Sequence, residues 1–97
     1  MLLVKARVRI GQAAQLLERL SNQPPEDDPL ETPENCLETA DSLWRRLVAI
    51  RDESELWKAI TIDGIEADDV LERLNDVVFE LLVEVTSRSR ASSERAD

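Results

Sequence analysis

Residues 77–85 read V-V-F-E-L-L-V-E-V, with Glu80 and Glu84 the only polar positions. The stretch continues a series, Leu71, Leu74, Val78, Leu81 and Val85, whose members alternate at spacings of three and four. That alternation predicts a helix running from about 66 to 87. A helix that is apolar nearly all round needs covering nearly all round. A chain of 97 residues has few walls to offer, since a domain of this size hides only about 60–65% of its unfolded surface. The last helix is therefore expected to carry more apolar surface than the chain itself can wrap, and exposed apolar patches invite association.

The first segment poses a related question. "VKARVRI" (4–10) alternates apolar and cationic residues with the period of a half-buried strand, yet Leu3, Ala6, Ile10, Ala13, Leu17 and Leu20 form a helical seam through the same region. The seam holds for nearly three heptads, and the strand reading has only "AITI" (59–62) as a partner, so a helix over 2–21 is expected. Gly11 opposes it by about 1 kcal/mol. On such a helix Val4 and Val8 fall opposite the seam, a second surplus of apolar surface.

Between the two lie the chain's punctuation marks. "SNQPPEDDPLETP" combines proline and acid without apolar periodicity and reads as an exposed loop over 22–33. Thr32 has the character of an N-cap, with Pro33 at the first helical position and Glu34 beside the positive helix end. Leu37, Ala40, Trp44, Leu47 and Val48 then make one apolar face, with Asp41 and Arg45 four apart on the other. "RDESE" interrupts the stripe before Leu56, Trp57 and Ile60, which predicts a kink or turn near 52–55. Asp63-Gly64 marks a further turn, and Asp63 with Glu66 has the form of a capping box.

Two glycines and three aromatics, Trp44, Trp57 and Phe79, are too few for a sandwich or barrel. The expected fold is all-α: a small antiparallel bundle of three to four helices, a single domain over 1–87, with a polar, flexible tail over 88–97. The net charge of −9 disfavours nucleic acid and anionic lipid and favours basic partners. No apolar run approaches the ~20 residues of a membrane span, and "MLLVKARVRI" lacks the order of a secretory signal. Cys36 is the one cysteine, which suits a reducing, cytoplasmic setting and a buried small side chain rather than a reactive thiol. Both tryptophans read as core, with one able to anchor an interface.

Glu72, Asp76, Glu80 and Glu84 follow each other at intervals of four on the last helix. Like charges so placed repel by a few tenths of a kcal/mol per pair. A solvated face explains the row most simply. Salt bridges come next, since Lys5 and Arg9 lie one turn apart and can run alongside it. A cation is the third explanation, but di-iron bundles need Glu-x-x-His and the chain has no histidine; no metal or other cofactor is expected.

"LERLNDVVFELLVEV" (71–85) resembles the second metal-binding helix of the all-α MazG-type nucleoside triphosphate pyrophosphohydrolases, in which E-L-G-D precedes an apolar run. "RIGQAAQLLERL" (9–20) is similar to their first motif, E-x-x-E. Asp76 matches the family's aspartate, but Arg73 stands where a glutamate belongs, and Gln12 and Gln15 stand where the first glutamate pair belongs. Amides and a cation do not hold Mg²⁺, so the resemblance implies a degenerate relative rather than an active enzyme. Without histidine the commonest general base and the usual triads are missing, and no Gly-rich phosphate loop occurs.

These readings converge on a non-enzymatic protein-interaction module, either self-associating or part of a larger assembly. Its expected contact residues are Val4, Val8, Leu74, Val78, Phe79, Leu81 and Val85, with the carboxylate row adding charge selectivity. An alternative is an acidic inhibitor covering a basic partner, in the manner of an antitoxin, immunity protein or nucleic-acid mimic.

Overall fold

The computed structural model describes residues 2–21 and 31–95, with side chains through Arg88. Three helices carry the fold: α1 (Leu2–Ser21), α2 (Pro33–Arg51) and α3 (Ala67–Arg95). A 3-10 turn (Trp57–Ala59) and a two-stranded hairpin, β1 (Thr61–Ile62) and β2 (Ile65–Glu66), join α2 to α3. The chain is a small all-α bundle, as its apolar spacing predicts.

Helix wins over strand at residues 4–10. Of the expected seam Ala6, Ile10 and Ala13 are buried and Leu3, Leu17 and Leu20 pack at its margins; Leu16, outside the expected series, completes the buried face. Two fully buried alanines let the neighbouring helices approach α1 closely, and Gly11 faces open space, where a missing side chain leaves no hole. The start of α2 also matches expectation. Thr32 Oγ1 accepts a hydrogen bond from the Asn35 N–H at 3.2 Å and Pro33 follows at the first turn. The buried face is rotated from the expected one: Cys36, Ala40, Leu43 and Leu47 turn inward, while Leu37, Trp44 and Val48 are half-buried at its margins. Asp41 and Arg45 pair on the outside at 3.2 Å. The expected acidic loop over 22–33 falls outside the described residues up to position 30.

The turn expected near 52–55 is present: the Ser54 N–H donates to the Ile50 carbonyl at 2.9 Å as α2 ends. Of the three apolar residues that follow, only Trp57 becomes core; Leu56 stays exposed. The Trp57 indole N–H donates to Asp68 Oδ1 at 2.7 Å, which stitches the 3-10 turn to the first turn of α3.

Asp63 is not a helix cap. Asp63 (φ 53°) and Gly64 (φ 78°) are the two central residues of a tight hairpin pairing Ile62 with Ile65 and Thr61 with Glu66. Two consecutive left-handed residues give the turn whose twist matches antiparallel strands, and Asp-Gly is its preferred sequence. Glu66 is thus used up in β2 and α3 begins at Ala67. At its other end α3 continues to Arg95, past the expected stop at 87. "SRSRASSER" contains neither proline nor glycine, and its arginines, alanine and glutamate are good helix formers.

Helix α3 runs against both neighbours. Lys5, near the start of α1, meets Glu80, while Gln12 and Arg19 reach the hairpin that precedes α3. Toward the end of α2, Trp44, Val48 and Arg51 face Asp68, Leu71 and Asn75. It follows that α1 and α2 point the same way, with Arg7 close to Cys36 near their beginnings. Alternation of direction therefore holds for α3 against α1 and against α2, but not between α1 and α2. The core is the column of Ala67, Val70, Leu71, Leu74, Val77 and Leu81 on α3, closed by the seams of α1 and α2 and by Ile62 from the hairpin.

Candidate docking surface

The expected contact residues divide into two groups. Leu74 and Leu81 are fully buried inside the chain's own core, and Val78 and Val85 are half-buried against it. The face with perfect three-four alternation is the face the bundle uses for itself, so Leu74 and Leu81 are withdrawn from the outer surface. Phe79 (64%), Val4 (55%) and Val8 (51%) remain exposed. Two residues join them that the sequence reading did not single out, Leu82 (49%) and Val83 (66%).

Helical geometry explains the arrangement. Each residue advances about 100° around the axis, so Val83 sits one turn beyond Phe79, on the side of α3 opposite Leu74, Val77 and Leu81. Glu72 and Asp76 precede them in the same line, at spacings of four, three and four through 72, 76, 79 and 83. All four are exposed. This straight stripe was legible as a second heptad line, but the denser apolar series on the opposite face masked it.

The carboxylate row follows a different path. Steps of four residues overshoot a full turn by about 40° each, so Glu72, Asp76, Glu80 and Glu84 wind from the outer face of α3 toward α1. There Glu80 meets Lys5 Nζ at 3.1 Å, with both side chains about half exposed. Arg9 does not join them; its Nη1 donates to Gln12 Oε1 at 3.1 Å. The cations of "VKARVRI" are thus shared out: Lys5 to the carboxylate row, Arg9 to Gln12 and Arg7 toward Cys36. The Lys5–Glu80 bridge also brings the α1 stretch bearing Val4 and Val8 alongside the 79–83 stretch of α3.

Gln12, buried, also donates from Nε2 to Asp63 Oδ2 at 3.5 Å, so it fixes the hairpin on α1. Gln15, Arg73 and Asp76, the other positions carrying the pyrophosphohydrolase resemblance, are exposed. Among the described residues no group of three His, Cys, Asp or Glu side chains is placed to hold a metal ion. Glu72, Asp76 and Glu84 stand in solvent, as a solvated face requires.

Two further features complete the surface. Trp44 is half-buried in an open groove of about 580 Å³ between α2 and α3, lined also by Val48, Arg51, Leu71 and Glu72. Its charged groups are solvent-exposed and therefore screened. The Cys36 thiol is buried, and desolvation pushes its pKa up, against a smaller opposing effect of the Arg7 guanidinium. A protonated, enclosed thiol is a poor nucleophile. Among the described residues, no helix is long and apolar enough to cross a membrane. No family model, curated protein or solved structure matches the chain.

Proposed function

We propose that the chain is a protein-docking module whose contact surface is the outer face of α3, extended by Val4 and Val8 of α1. The observation that carries this reading is the exposure of Phe79, Leu82 and Val83 within five residues of one helix, beside a core already closed by α1, α2 and the hairpin. Lone exposed apolar residues need no explanation, but a contiguous group on a rigid helix marks an interaction site. Aromatic anchors contribute most to such contacts, which gives Phe79 the leading role. The exposed Glu72, Asp76 and Glu84 border the patch and favour a partner with basic groups at matching positions. Apolar contact supplies the affinity, so binding should weaken only modestly as salt rises. An acidic inhibitor held by charge alone would weaken steeply.

Site-specific photo-crosslinking in cells tests this reading. A photoreactive residue replacing Phe79 or Val83 is expected to yield a protein adduct, while one at Arg45, on the polar side of α2, is not. Absence of adducts at both 79 and 83 would overturn it.

A further inference from the structure

We infer that Asp63 is a modification site: its side chain can enter the backbone by spontaneous isomerisation, and the hairpin turn, with its tether to Gln12, holds that reaction off. Three observations meet at this point: an Asp-Gly pair, a left-handed turn, and an amide bonded to the reacting carboxylate. The site lies apart from the outer face of α3 and does not depend on the docking reading.

The reaction needs no partner. The main-chain nitrogen of Gly64 attacks Asp63 Cγ, an N–Cγ bond forms, and the carboxyl hydroxyl leaves with the amide proton as water. A second water then reopens the five-membered ring. Attack at the former backbone carbonyl breaks the original C–N bond; that carbon becomes a carboxylate, and Gly64 stays joined through Cγ. Nothing is oxidised or reduced. Glycine in the second position favours closure because it has no side chain to shield its nitrogen, and no neighbour supplies a shield: a Cβ at Gly64 would meet nothing within 4 Å. Asp63 and Gly64 are both exposed, so water reaches the ring.

The turn opposes what the sequence favours. Closure needs the Gly64 nitrogen on the same side of the Asp63 Cα–C bond as Cβ. Asp63 is left-handed, with φ 53°, and in that region the following nitrogen lies opposite Cβ. Bringing it round takes about half a turn of rotation, which the pairing of Ile62 with Ile65 and of Thr61 with Glu66 forbids. The carboxylate is held too. Gln12 Nε2 donates to Asp63 Oδ2 at 3.5 Å, and Gln12 is itself fixed because its Oε1 accepts from Arg9. Arg19 Nη1 donates to the Thr61 carbonyl at 3.2 Å, a second tie between α1 and the hairpin. Reaction therefore waits for the hairpin to open locally. Once made, the β-linkage adds a carbon to a two-residue turn, which then no longer joins Ile62 to Ile65 in register.

Ageing the full chain at neutral pH, folded and in guanidinium chloride, tests this. The tryptic fragment 59–73 carries Asp63, and electron-transfer fragmentation distinguishes a β-linked aspartate from an ordinary one. β-Linked Asp63 should accumulate at least about ten-fold more slowly in the folded chain than in the unfolded one. Gln12→Ala should raise the folded rate about two- to five-fold. Arg9→Ala, which leaves the Gln12 amide in place but untied, should raise it less and reads the same tether should Gln12→Ala not fold. Arg45→Ala, on the polar side of α2, should leave the rate unchanged. Equal rates for the folded and unfolded chain overturn the proposal, as does no β-linked Asp63 in either. A rate in both Gln12→Ala and Arg9→Ala no higher than in Arg45→Ala removes the tether from it.

Discussion

Over the turns from Leu74 to Val83 both faces of α3 carry apolar side chains, yet these have opposite fates. Inward, Leu74, Val77 and Leu81 are completely removed from water; outward, on the same three turns, Phe79 and Val83 stand about two-thirds exposed. For these apolar residues the difference lies in what surrounds the helix, although the outer line also carries Glu72 and Asp76 where the inner face is apolar throughout. Helices α1 and α2 and the hairpin cover one side of α3, and among the described residues no element covers the other. A small bundle with a single central helix can satisfy one face of it, and hydrophobicity alone does not say which. The alternation of three and four decides: the face with the longer unbroken series, from Val70 to Leu81, is the one that neighbouring helices can grip along their length.

The sharpest way to break this comparison is to cut into the inner face. Leu74→Ala removes a fully buried side chain and should cost about 2–5 kcal/mol, measured by urea unfolding of the dilute chain. An effect below about 1 kcal/mol would mean the inner face is less tightly packed than its burial shows. Gly64→Ala probes the hairpin that closes the end of that face. A Cβ there meets no neighbour, but φ is +78°, so the cost is conformational, about 1–2 kcal/mol. Gly64→Asn should cost less, since asparagine tolerates the left-handed region. Equal losses for the two variants would contradict the turn assigned to Asp63 and Gly64. At the boundary between the faces, Lys5→Ala breaks the bridge to Glu80. Both partners are half exposed, so no more than about 0.2–1 kcal/mol is at stake, and it should shrink with added salt.

Sequence spacing made the helices, the cap at Thr32 and the inner seams legible, because each depends on residues within one or two turns of each other. The hairpin was not legible. Asp63-Gly64 announces a turn, but "AITI" and "IE" are too short to show strand alternation, and Asp63 with Glu66 mimics a cap. The direction of α1 relative to α2 was equally hidden, since no spacing within either helix reports it. For the surface, the sequence announced an excess of apolar residues on α3 but not its position. Leu74 and Leu81 belong to the core, while Leu82 and Val83 carry the exposure, because a helix of nearly uniform hydrophobicity reveals its outer face only once its neighbours are placed.

The central claim is that the fold has no need of the outer face of α3. Urea unfolding of Phe79→Glu/Val83→Glu, at a concentration low enough that association contributes nothing, tests it most directly. The account predicts a stability within about 0.5 kcal/mol of the unaltered chain, as for surface substitutions generally. A loss of several kcal/mol would show that Phe79 and Val83 belong to the chain's own core and would contradict the account.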